Sequence, residues 1–369
     1  MNRYYFGPRQ RQRGVLRTSA ALLTASCLFA SPRSLPVARA SAPPAASQGS
    51  GYHEIDRFTV GGEGGWDYVT FDGTGNRLFI TRGSHVMVVS TKTGKLVGDI
   101  TGLNGCHGVA LAPSLKHGFI SDGGNNQVVV FDTDTLKVIT RVPVGQRPDA
   151  ILYEPLTRRI FTFNAQSEDT TVVDTATNKV IGTLALGGKP EFAVSDGKGK
   201  VFVNNEDKAE LLTLDPKKLT VTAHTSLAPA QSPSGLAIDL KTERLYCAGD
   251  NKLAAVVDGN TGKLLATPPI GDGPDAATFD PGMKRAFMSN GEGTLSVLRE
   301  TTPNTFATET IPTLPGARTM TIDPKAHRLY LITAKREAVA SDAPPVNGRR
   351  PRPRMVANSF VVLVYGLQK

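Results

Sequence analysis

The chain has 369 residues, 40% hydrophobic and 20% charged, with a formal net charge of +9. A basic balance of that size invites a nucleic-acid reading, but residues 1–40 hold seven arginines and no acid, which leaves +2 on the rest. The segment 335–354 alone carries a local +4, so the remaining body is slightly acidic and composition gives no support to nucleic-acid binding.

In chain order, RQRQRGVLR (9–17) is basic, TSAALLTASCLFA (18–30) is a short apolar run, and Ala38-Arg39-Ala40 fits a small-residue cleavage site. That order predicts a secretory signal peptide over 1–40, cleaved near Ala40, and hence a periplasmic or secreted protein. An apolar run of 13 residues is too short to span a bilayer as a helix. Residues 41–52 then read as a flexible leader. The strand HEIDRFTV (53–60) follows, with no partner nearby in sequence.

From there the chain repeats. The segments GWDYVTFD, CHGVALAP, RPDAILYEP, KPEFAVSD, SPSGLAID, GPDAATFDP and ARTMTIDP each open a unit. Taking one equivalent position in each, residues 67, 107, 149, 191, 234, 275 and 318, the spacings are 40, 42, 42, 43, 41 and 43. Each unit continues with a turn, a second apolar strand, a β-branched strand and a fourth strand. This period and grammar predict an all-β fold, a seven-bladed β-propeller of four-stranded antiparallel blades over 53–369. The last unit lacks a fourth strand, and the orphan strand 53–60 is expected to supply it and close the ring. Between RLYLIT (328–333) and SFVVLV (359–364) lies a Pro/Arg-rich insertion, 334–358, expected to be poorly ordered and to emerge on the channel-mouth face. Cys106 and Cys247 fall three units apart, so no disulfide is expected.

The second strands (FITR, FTFN, FVNN, FMSN) resemble the Tyr-Val-Thr-Asn motif of YVTN β-propeller repeats. Residues 53–369 as a whole resemble the YncE-like branch of bacterial YVTN proteins. The resemblance implies an extracytoplasmic seven-bladed propeller and no particular activity.

In a propeller the first strand of each blade lines the central channel, so the seven equivalent positions form a ring at one mouth. That ring reads Asp67, His107, Asp149, Glu191, Ser234, Asp275, Arg318. A short polar residue at such a turn also has a local capping role, which is the alternative for Asp149 and Asp275. For Arg318 the alternative is an ion pair with a neighbouring acid. His107 lies between two acidic neighbours, which raises its pKa. It is a candidate general acid beside Asp149, Glu191 and Arg318. Equally, His107, Asp149 and Glu191 form a candidate divalent-metal set. The ends of the second strands form a second expected ring, which contributes Arg82, Asn164 and Asn290 as candidate ligand contacts. Trp66, Asp67, Glu206, Asp250 and Asp275 complete that set, with blade packing as the alternative for Trp66. The expected protein is a monomer binding a small or anionic ligand, or a metal. A hydrolase or lyase of lactonase-like type and a protein-interaction scaffold are the alternatives.

Overall fold

Each blade begins with a hairpin whose turn is written into the sequence. The residue just before the second strand takes the left-handed conformation in six of the seven blades, from Asn76 (φ 51°) through Arg158, Glu243 and Lys284 to His327 (φ 53°), and in blade four Gly199, one residue earlier, carries the positive φ. An acid at the end of the first strand accepts the turn's backbone N–H groups, as Asp72 does from Thr74 and Gly75 and Asp280 from Gly282 and Met283. These are self-capped turns of the Asx kind, and they reverse the chain within a few residues.

The computed structural model describes residues 49–337 and 354–367. The expected signal peptide, most of the leader and residues 338–353 of the insertion lie outside the described residues. Seven four-stranded antiparallel sheets form seven blades. Blades one to six run in chain order, starting at Val69, Cys106, Pro148, Pro190, Pro233 and Pro274. In blade seven the strands lie in the order Thr319–Asp323, Arg328–Thr333, Val361–Leu367 and, outermost, Tyr52–Thr59. The strand from the start of the chain therefore closes the ring, pairing Tyr52 with Leu367 and Thr59 with Val361. No helix among the described residues is long and apolar enough to cross a membrane.

The core is distributed: seven apolar clusters lie one between each pair of adjacent blades. That is why the second strands read as near-continuous apolar runs, buried on both faces, as in Arg159–Asn164 and Arg285–Asn290. Cys106 and Cys247 are buried, free thiols in two of these clusters. The fourth strands face solvent. A bulge in the fourth strand of blades one to three leaves Leu96 and Val97, Val138 and Ile139, and Val180 and Ile181 exposed as adjacent apolar pairs.

Two contacts fasten the closure. Arg82 is 2% exposed, and its guanidinium donates to the carbonyls of Gly61, Glu63, Gly64 and Gly65, the link from the closing strand to blade one. The same guanidinium lies over the ring of Phe360, 4.0 Å from its centroid, and Trp66 packs against that ring at 5.7 Å. Phe360→Ala should lower stability by about 3–5 kcal/mol and lower the melting temperature measured by calorimetry. An unchanged melting temperature would remove Phe360 from the closure.

Candidate functional site at the channel mouth

The backbone aims the mouth ring inward. In blades two to six a register irregularity falls where the ring residue sits, as between Cys106 and Val109, Pro148 and Ile151, and Pro274 and Ala276. An extra residue at that point bends the strand and redirects its side chain. Bonds from the second strands then pin the ring to the next blade. Ser121 Oγ donates to the Asp149 carbonyl at 2.5 Å, Asn204 Nδ2 to the Ser234 carbonyl at 2.9 Å, and Ser289 Oγ to the Arg318 carbonyl.

The tightest group on this ring spans blades one to three. His107 Nδ1 lies 2.5 Å from Asp67 Oδ2 and 3.6 Å from Asp149 Oδ1, with all three side chains about one-fifth exposed. One ligand atom from each residue lies within 4.8 Å of the others. Burial opposes the charged imidazole, but the Asp67 hydrogen bond and the charges of Asp149 and Asp67 outweigh it and hold the His107 pKa above its ordinary value. Burial and the nearby Asp67 raise the Asp149 carboxyl, against the opposing pull of His107.

Glu191 is not the third member of this group. Its own blade supplies a closer partner, Lys189 Nζ, at 2.6 Å, and the same ammonium pairs with Glu206. Burial and then the Asp149 charge still push the Glu191 carboxyl up to about 8. Arg318 Nε meets Asp275 Oδ2 at 3.0 Å, the ion pair anticipated for it. Burial raises Asp275 to about 7, with Arg318 pulling the other way. Ser234 turns aside to donate to the Pro274 carbonyl. Asp250 sits in an exposed turn, and no side-chain contact brings it to the ring.

The second expected ring does not reach the mouth. Asn164 and Asn290 are fully buried. Asn164 Nδ2 donates to Thr171 and Asp169, and Asn290 Nδ2 to Thr294 and Ser296, all on the third strand of the same blade. Asn205 does the same toward Glu210. These amides lock the hairpin between second and third strands, one layer outside the channel. A Cβ at Gly145 or Gly271 would overlap the Asn164 or Asn290 amide, which accounts for glycine in the preceding loops. Arg82, as described above, is spent on backbone carbonyls.

Sequence reasoning missed Tyr68. The position after the ring is Gly108, Ala150, Gly235, Ala276 and Thr319 in five blades, but Tyr68 in blade one and Phe192 in blade four. Those two blades lie across the channel from each other, and the two rings stack with centroids 5.7 Å apart and planes at 24°. Burial and the charges of Asp149, Glu191, Asp67 and Asp275 hold the Tyr68 phenol well above its ordinary pKa, so it sits among the ring acids. Below the stack, a chamber of about 850 Å³ lined largely by apolar first-strand residues continues toward the opposite face. The alternation of small residues with two aromatics was the available signal.

Asp67→Asn should bring the His107 pKa down toward the ordinary imidazole value, read from the pH dependence of its ring NMR signals. An unmoved titration would break the His107–Asp67 pairing.

No family model matches the chain, and no curated protein matches it. Solved structures do resemble it. A structure of Kuenenia stuttgartiensis hydrazine synthase is 15% identical over 73% of this chain and 92% of its own, with a TM-score of 0.65. The WD40 repeats of RRP9 are 10% identical over 86% of this chain and 98% of theirs, at 0.67. A chain of the mitotic checkpoint complex is 13% identical over 95% of this chain and 99% of its own, at 0.66. At such identities the likeness establishes the β-propeller fold and nothing finer.

Proposed function

We propose that the channel mouth binds a divalent metal ion through Asp67, His107 and Asp149, in a secreted or periplasmic monomer of the YVTN type. The observation that carries the metal reading is the placement of one imidazole nitrogen and two carboxylate oxygens within 4.8 Å of one another. Mixed nitrogen and carboxylate donors suit zinc, manganese or iron(II). Compartment rests on the order of regions in residues 1–40, and the YVTN assignment on the second-strand motifs.

Proton linkage supports the same reading. Asp275 and Glu191 hold protons up to about 7 and about 8, far above ordinary carboxylates. A carboxyl whose folded pKa is raised binds more protons in the folded state, so folding stability falls as pH rises from its ordinary value to the raised one. His107 acts in the same direction: its contribution is complete below the ordinary imidazole pKa and is lost as pH rises through the raised one. All three groups therefore favour excess positive charge at the mouth, and a bound cation substitutes for protons as pH climbs. With chelator present, the melting temperature should fall between about 4.5 and about 8, and zinc should restore most of the loss at the upper end.

The direct test is calorimetric titration of the purified protein with zinc and manganese chloride, beside elemental analysis. One site per chain is expected, weakened at least about tenfold in His107→Ala. If neither ion binds and none co-purifies, the metal reading is lost. Carboxyls poised near neutral beside a raised histidine would then favour the second reading, acid/base hydrolase or lyase chemistry at the same mouth.

A further inference from the structure

Beside the acidic ring lies a pocket of opposite character. It is a cavity of about 1110 Å³ over blade seven, walled by Trp66, Leu314, Val356 and the backbone of Gly316. Four cations line it, Arg57, Arg318, Lys335 and Arg336, and among the described residues no carboxylate does. Arg57 is engaged by Glu54 on its own strand, and Arg318 meets Asp275. A guanidinium carries five donors, more than one carboxylate satisfies.

The remaining two cations are held in place by the ends of the long insertion. Arg336 forms an antiparallel bridge with Met355, flanked by bonds from Glu337 N to the Arg354 carbonyl at 2.8 Å and from Val356 N to the Lys335 carbonyl at 2.9 Å. This short ribbon delivers the Arg336 guanidinium to 5.0 Å from the centre of the Trp66 ring. The indole is steadied from beneath by Phe360. Apolar walls, an aromatic edge and convergent arginines are the parts of a ligand pocket rather than of a solvated charge run.

We infer that this pocket is a binding site for a small organic anion with a planar apolar body, such as an aromatic carboxylate or sulfonate. Its charged group meets Arg318, Lys335 and Arg336, and its body lies against Trp66, Leu314 and Val356. Excess positive charge, with no acid among the described lining residues, selects the anion. The size and apolar walls select a body larger than phosphate or sulfate. The site goes beyond the metal reading and does not depend on it, because none of Asp67, His107 and Asp149 lines the pocket.

Trp66 is the only tryptophan in the chain, so the energy-transfer donor sits in the wall of this pocket, and the Arg336 and Lys335 variants tie the signal to it. The full secreted form is titrated with anilinonaphthalene sulfonate, with chelator throughout so that the metal question stays separate. The expected result is saturable energy transfer from Trp66 to the probe. Exposed Arg336→Gln and Lys335→Gln should each weaken binding by about tenfold, the loss of one charge-assisted hydrogen bond. Lys116→Gln, an exposed lysine paired with Asp134 in blade two, should leave it unchanged. The uncharged analogue phenylnaphthylamine should bind at least about tenfold more weakly. Equal binding of charged and uncharged probes, indifference to Arg336→Gln and Lys335→Gln, or absence of energy transfer would each overturn the site.

Discussion

The mouth exists only because the ring closes. Its central contacts join residues from different blades: Asp67 in the first, His107 in the second and Asp149 in the third. No blade holds more than one of these groups, so their spacing is set by how the blades pack, not by local sequence. The seam that fixes that packing is the pairing of Tyr52–Thr59 with Val361–Leu367, where the first and last described strands share a sheet. Arg82 transmits the seam to blade one by gathering four carbonyls of the connecting loop. A buried guanidinium is costly unless its donors are satisfied, and here the backbone satisfies them. The interblade clusters then carry the geometry around the ring.

On that frame the protein assembles an unfavourable set of charges. Four acids face one opening, and burial pushes three of them upward. Each has a different compensation: an imidazole for Asp67 and Asp149, a same-blade lysine for Glu191, a neighbouring arginine for Asp275. The pinning bonds from Ser121, Asn204 and Ser289 prevent the strands from relaxing away from this crowding. Like charges held close by a rigid backbone, with raised pKa values, are a common mark of functional sites.

The fold was largely legible in the sequence because a repeat states its own architecture: seven segments of near-constant period, and one orphan strand that only closure explains. The angular neighbours of His107 followed from blade order alone. What could not be read was depth. Asn164 and Asn290 end strands at the mouth face, and whether such an amide points to solvent or to the adjoining strand depends on backbone direction that composition does not encode. Glu191 was misplaced for a related reason. Its competing partner, Lys189, is two residues away and so falls on the same side of the strand by simple alternation, closer to Glu191 than anything on a neighbouring blade. Tyr68 went unnoticed because an aromatic after a ring position looks like ordinary core until its opposite number, Phe192, is found across the channel. The apolar pairs on the outer strands of three consecutive blades were likewise hidden, since the bulges that expose them break the alternation by which burial is judged.

The Tyr68–Phe192 stack also bears on how solutes come and go. An aromatic pair laid across the bore narrows the passage between the mouth and the chamber below. The chamber below keeps largely apolar walls, and Asp275 of the mouth ring is among the few charged residues that line it.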